Sequence, residues 1–259
     1  MKFGEYPKVA SLDGITGFKA HLASLGLDMP CDDIVASGAA SPLSAPLEVA
    51  GLKIGSRFAI NPMEGWDGER NGVPSANTIR RWQRFGQSGA KLIWGGEAVA
   101  VRPDGRANPK QLCLTEETAG AIADLRQTLI TAHREAAGND DGPVIGLQLT
   151  PSGRFCKPND NTKFESQIAY RHPLLDRKFG VPADRVPMSD DEVRRLIEAY
   201  VVAAKRAKAA GYDFVDIKHC HGYLGHEFLS AHTRPGPYGG SLENRTRYLR
   251  EIVEGVRAE

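Results

Sequence analysis

Residues 216–247 read DIKHCHGYLGHEFLSAHTRPGPYGGSLENRTR, and the organisation of the chain follows from how this stretch begins and ends. It opens on the last residues of a short apolar run, Phe214-Val-Asp-Ile217, of strand length and composition. The run stops in a turn that carries Lys218, His219 and His221. The far end is Tyr238-Gly239-Gly240-Ser241, where two small residues suit a tight turn and Ser241 suits the start of a helix. That helix presents Tyr248, Ile252 and Val256 at helical spacing. Strand, polar loop and helix in this order make one βα unit.

The same pattern recurs upstream. Strand candidates lie at 58–62 (FAINP), 91–94 (KLIW) and 144–149 (VIGLQL). Ser75 precedes a helix carrying Ile79, Trp82 and Phe85, and Thr115 precedes one carrying Ile122, Leu125 and Leu129. Ser189-Asp-Asp-Glu192 spells a capping box ahead of Val193, Leu196 and Tyr200. Gly138 and Gly211 punctuate the ends of these last two helices. The count is four βα units over residues 57–259, against the eight of a closed (β/α)8 barrel. By pattern alone a four-unit open sheet of flavodoxin-like type is also allowed. Residues 1–56 read as a lead-in: Thr16 is placed to cap a short helix with Phe18, Leu22 and Leu25 that ends near Gly26, and 28–56 are rich in Pro, Ala, Ser and Gly.

Composition narrows the class of function. Of 259 residues, 41% are hydrophobic and 25% charged, enough apolar content for one sizeable core, which sets disorder and collagen-like readings aside. With 33 basic and 32 acidic residues the net charge is +1, so no global field attracts nucleic acid or an anionic membrane; a small-molecule partner is expected. Cys31, Cys113, Cys156 and Cys220 form no CxxC pair and are expected as free thiols, without a zinc ribbon or iron–sulfur cluster. The first residues have no apolar signal-peptide core, and no run approaches the roughly 18 apolar residues of a membrane helix. A reducing cytoplasm is the expected location.

The stretch 216–247 resembles the signature of the old yellow enzyme family, FMN-linked NADH:flavin oxidoreductases, in which a His-containing strand end continues as HGYL and FLS and closes with YGGS-x-ENR-x-R. Three further matches stand in the family's order: Asn61-Pro62-Met63, Gly96-Glu97-Ala98, and Gly146-Leu147-Gln148-Leu149 followed by Ser152-Gly153-Arg154. The resemblance implies a TIM-type (β/α)8 barrel of which this chain holds the first four βα units, with FMN across the C-terminal strand ends and NAD(P)H as electron donor. It further implies Pro62, Met63 and Ala98 lining the isoalloxazine, Gln148 bonding its pyrimidine edge, and Glu64 beside it. Tyr223 would donate a proton to the substrate's α-carbon, and His221 would hold its carbonyl oxygen.

Two positions of the expected site depart from the family pattern, besides Pro151 in place of a residue often His and a loop from Ser230 to Tyr238 shorter than the common form. Lys218 stands where His is usual, and it can donate to a carbonyl, carry charge toward a reduced flavin, form an imine if desolvated, or extend out of the barrel mouth. Glu64 stands where relatives carry Cys or Thr, and it can lower the flavin's potential, receive a cationic substrate, or turn toward Arg70 or solvent. Gly239, Gly240, Glu243, Asn244, Arg245 and Arg247 read as structural. Since the basic residue opposite the flavin and the phosphate-gripping loops belong to later strands, residues 1–259 alone are expected to bind FMN weakly or not at all and to be inactive. Uncovered strand edges favour a homo-oligomer. The other functional readings are a non-catalytic half-barrel and a metal-dependent hydrolase using His219 and His221, which would face the same way if they lay on a strand.

Overall fold

In a computed structural model, which describes residues 4, 6–138 and 141–259, the chain divides into two compact units, Met1–Ala45 and Pro46–Glu259. The first unit holds helix α1, Gly14–Ser24, with Leu22 buried, and three short 3-10 turns. Asp13 occupies the position before α1, so Thr16 lies inside the first turn and not at the cap. The second unit opens with an antiparallel hairpin of β1, Leu47–Val49, and β2, Leu52–Ile54, whose Ile54 is buried while Gly55 lies against the Lys91 side chain.

The second unit is built on four parallel strands, β3 (Ala59–Ile60), β4 (Leu92–Ala100), β5 (Val144–Thr150) and β6 (Phe214–Ile217), arranged side by side in chain order. The helices are α2 (Ala76–Gln87), α3 (Ala119–Ala137), α4 (Pro173–Lys178), α5 (Asp190–Ala209), α6 (Leu224–Leu229) and α7 (Leu242–Arg257). Sequential strand order without a reversal disposes of the doubly wound reading, which needs a topological switch point.

Side-chain alternation along the strands explains the layering. Ile93, Ile145, Leu147 and Leu149 are fully buried in one core with Trp82 of α2, Ile122, Leu125 and Leu129 of α3, and Leu196 and Tyr200 of α5. Ser75 caps α2 through the Thr78 amide, and the capping box of Ser189 and Glu192 starts α5. The opposite face carries Trp94, Gly146 and Phe214 in register across β4, β5 and β6. Trp94 and Phe214 meet edge-on, ring centroids 5.2 Å apart, and a Cβ on the intervening Gly146 would collide with the Phe214 ring. Among the described residues no helix is long and apolar enough to cross a membrane.

Strand β4 runs past the expected end at Trp94 because it bulges. Gly95 pairs with Leu147 but Ala98 pairs with Gln148, so Gly96 and Glu97 are extra residues on the β4 side. Gly96 adopts φ 42, and a Cβ there would sit 2.6 Å from the Trp82 ring. Only glycine meets both demands. The bulge re-aims Glu97 into the protein, where it is 2% exposed.

Candidate active site

The C-terminal ends of β3, β5 and β6 enclose a cleft of about 430 Å³. Pro62, Met63 and Glu64 come from the segment after β3, Gln148 from β5, and Lys218, His221 and Tyr223 from the turn after β6. Seven of the eight expected site residues thus meet in one place. Ala98 lies behind them, fully buried in β4, where its N–H donates to the Met63 carbonyl at 3.4 Å and its carbonyl accepts from Gln111 Nε2 at 3.1 Å.

Glu64 turns neither to Arg70 nor to solvent. Its Oε1 accepts from Lys218 Nζ at 2.6 Å, and its Oε2 accepts from the Tyr223 hydroxyl at 2.9 Å and from Trp66 Nε1 at 2.9 Å. The Lys218 and Glu64 side chains are 6% and 7% exposed, so the lysine does not extend out of the mouth. Its ammonium also sits 4.2 Å from the centroid of the Tyr223 ring. Burial, and after it the Glu64 charge, pushes the Tyr223 phenol far above its ordinary range.

Gln148 donates through Nε2 to Asp216 Oδ2 at 2.5 Å. That bond takes one of the two Nε2 hydrogens, and the amide oxygen, with the second hydrogen, remains for the cleft. Cys220 and His221 are exposed, with Sγ to Nδ1 at 3.4 Å, and His221 adopts φ 59.

Two buried ionic networks hold the loops around the cleft. In the first, Arg81 of α2 donates to Asp67 Oδ2 at 2.5 Å and to Glu97 Oε2 at 2.5 Å, while Glu97 Oε1 accepts the Gly65 N–H at 2.8 Å. The bulge in β4 thereby fixes the residue next to Glu64. Burial pushes Glu97 up to about 7, with the Arg81 guanidinium pulling the other way. In the second, Arg154, 1% exposed, pairs with Asp176 and, at 2.6 Å, with Glu227 Oε1, joining the loop after β5 to α4 and α6. Glu227 is likewise pushed up to about 7 by burial against the pull of Arg154.

Gly239 and Gly240 form the turn ahead of α7, and from the first turns of that helix Arg245 donates to the Leu229 carbonyl and Arg247 to the Pro237 carbonyl. Gly239 packs on the Arg234 backbone, and Arg234 is buried on the Ala169 carbonyl and Asp190 at 2.8 and 2.7 Å. The hydrolase reading loses its geometric premise, because β6 stops at Ile217 and His219 and His221 lie in the turn beyond it. His219 packs on Tyr248, ring centroids 5.8 Å apart, and burial lowers its pKa. Among the described residues no three His, Cys, Asp or Glu side chains cluster as metal ligands. Sequence reasoning gave no role to Trp66, Asp67, Arg81, Asp176 or Glu227. The one local signal that bears on them is their neighbour Glu97 in the Gly95-Gly96-Glu97-Ala98 motif, to which Arg81 donates.

The family model for the NADH:flavin oxidoreductase / NADH oxidase family matches residues 42–259, and the chain belongs to that family. It is similar to proteins named NADPH dehydrogenase: 32% identical over 226 residues to that of Bacillus subtilis (strain 168), covering 84% of this chain and 60% of the relative. For that of Bacillus pumilus (strain SAFR-032) the figures are 33% over 222 residues, 83% and 59%. Among solved structures, the old yellow enzyme homologue from Zymomonas mobilis superposes with TM-score 0.66 at 25% identity, covering 83% of this chain and 59% of that one. Old Yellow Enzyme from Pichia sp. AKU4542 shares the fold at TM-score 0.67 and 23% identity, over 84% and 56% of the two chains. The four βα units are therefore an arc of the TIM-type (β/α)8 barrel fold, and the chain spans about 60% of the length of the curated relatives it matches.

Proposed function

We propose that this chain forms the substrate-facing part of an FMN-dependent oxidoreductase that passes hydride from NADH or NADPH to the activated C=C bond of a small molecule. The observation that carries the reading is the convergence of a phenol, an ammonium, an imidazole and an amide on one cleft at the C-terminal strand ends. When bound, FMN supplies the hydride. Gln148 supports the fit: with its nitrogen held by Asp216, its oxygen suits the ring N–H on the pyrimidine edge of an isoalloxazine. Pro62 and Met63 offer apolar surface to the ring, with Ala98 behind them and Glu64 at the margin.

On the substrate side, the His221 imidazole is free to hold a carbonyl oxygen, so that charge developing there meets a fixed donor. Lys218 adds a fixed positive charge beside Tyr223. Tyr223 delivers its proton to the α-carbon as the β-carbon is reduced. The name NADPH dehydrogenase carried by the relatives supports a nicotinamide as electron source.

The test is a titration of the purified chain with FMN, followed by flavin fluorescence and visible absorption. Saturable, weak binding that is lost in Gln148→Leu is expected. Residues 1–259 alone are expected to be inactive; a loaded chain that anaerobic NADPH bleaches and an added enone recolours would overturn that expectation, and Tyr223→Phe should then slow the recolouring. Identical titrations for the wild type and Gln148→Leu would overturn the assignment of the cleft to the flavin.

A further inference from the structure

The Lys218, Glu64 and Tyr223 side chains come from two segments 154 and 159 residues apart, and their hydrogen bonds admit one arrangement of protons. Lysine ammonium and indole N–H are donors only. Glu64 therefore accepts at both oxygens, from Lys218 at Oε1 and from Trp66 at Oε2. A proton on Oε2 would oppose the donors already aimed at that atom. The hydrogen in the 2.9 Å contact between Glu64 Oε2 and the Tyr223 oxygen consequently belongs to the phenol.

We propose that Glu64 is the positioning residue of the proton donor: paired with Lys218, it takes the hydrogen bond of Tyr223 and fixes where that hydroxyl and its proton lie at the cleft. The inference rests on Tyr223 being the donor in the proposed reaction. At rest the phenol presents its lone pairs to the cleft, and its proton is aimed at Glu64. Delivery to a substrate carbon breaks the Tyr223 O–H bond and forms a C–H bond, and the electron pair stays on the phenolate oxygen. That phenolate would face a carboxylate of like charge, with the Lys218 ammonium as the compensating cation. Solvent returns the proton.

The titratable and charged groups that face the Tyr223 hydroxyl are Glu64 from the β3 loop, Lys218 from the end of β6, and Cys156 from the loop after β5. Of these, Glu64 raises the tyrosine most after burial itself. A glutamine at position 64 would keep the shape, remove the charge and place a donor or a neutral acceptor against the phenol.

Tyrosine labelled with ¹³C at Cζ reports the ionisation of each phenol, and the spectrum of Tyr223→Phe assigns the signal without any flavin present. The wild-type Tyr223 signal should stay that of the neutral phenol across the alkaline range in which the chain is folded, whereas in Glu64→Gln it should begin to move toward tyrosinate at a pH lower by about 1–3 units, the size of a lost adjacent charge. Glu64→Asp, which keeps the charge, should restore part of the shift. Should Glu64→Gln fail to fold with Lys218 left unpaired, Glu64→Gln with Lys218→Met removes both charges, and at neutral pH the Tyr223 Cζ signal must still differ from the wild type, because its hydrogen bond no longer ends on a carboxylate. Coincident Tyr223 titrations in the wild type and the Glu64 variants would overturn the proposal. In the FMN-loaded chain, the alkaline limb of alkene reduction should move with the same signal. A moved signal with an unmoved limb would leave Glu64 holding the proton and refute Tyr223 as donor, so the two ideas fail separately.

Discussion

Replacing Arg81 by methionine removes the cation that bridges Asp67 and Glu97 while keeping much of the side-chain volume. The Glu97 side chain is 2% exposed, that of Arg81 16% and that of Asp67 28%. Breaking a buried pair from one side typically costs about 3–5 kcal/mol, and the half-open Asp67 end places this case near the lower figure. The loss should also depend on pH. Burial already holds Glu97 up at about 7 against the pull of Arg81, and without Arg81 it goes higher. A carboxyl raised on folding contributes stability that is fully present below its unfolded pKa and lost as pH rises through its folded pKa. In the wild type that loss ends near 7; in the variant it continues, at about 1.4 kcal/mol per pH unit. Urea unfolding of both proteins between about pH 6 and pH 8.5 should show a gap that widens upward. A gap that stays flat across this range, or that never exceeds about 1 kcal/mol, would refute a buried Glu97 held by Arg81.

Three shorter tests probe other parts of the fold. Gly146→Val puts side-chain atoms into the Phe214 ring and should destabilise the chain by about 1–3 kcal/mol in denaturant unfolding, a loss that Phe214→Leu should partly relieve. Glu227→Gln removes a carboxyl that burial holds up at about 7, so the decline of stability with rising pH below neutrality should flatten by up to about 1.4 kcal/mol per unit relative to the wild type. A thiol reagent at neutral pH should label Cys220 first and half-buried Cys31 next, while Cys113, pushed up to about 12 by burial, and Cys156 react only on unfolding; mass spectrometry of partly labelled protein reads the order.

What was legible in the sequence is what depends on neighbours in the chain. Short apolar runs located all four parallel strands and period-3.6 patterns their main helices, and the caps at Ser75, Ser189 and Ser241 formed as spelled. The short helix α6 was missed because its six residues span less than two turns, too few for a periodic signal, and the hairpin of β1 and β2 because its strands hold three residues each. Strand β4 looked four residues long because Gly95-Gly96 resembles an end, when it is a bulge made possible by those glycines. Of the site, the motifs identified which residues face the cleft. They did not disclose that Glu64 and Lys218, the two site positions that depart from the family pattern, compensate each other, since a pair 154 residues apart has no local signature.

The ionic networks also decide where the molecule is sensitive to pH. Behind the sheet, α2, α3 and α5 are held by apolar side chains such as Trp82, Leu129 and Leu196, which do not titrate. Around the cleft, the loop after β3 hangs on Glu97 and the loop after β5 on Glu227, both carboxyls raised to about 7 by burial. As pH rises from the ordinary carboxylate range toward 7 the stability that each proton contributes is lost, and the loss ends once the carboxyl has ionised inside the protein. The first segments to open should therefore be 62–70 and 152–170, with the strands and long helices following only at global unfolding. Hydrogen exchange from about pH 5 to pH 8, corrected for the intrinsic rise with pH, should show protection falling in those two loops up to about pH 7 and levelling off above it, while the amides of α3 keep theirs. Glu97→Gln should abolish the fall in the first loop and leave the second unchanged. Equal loss of protection in α3 would mean that the carboxyls destabilise the whole domain, and the division between a titrating mouth and an inert core would not hold.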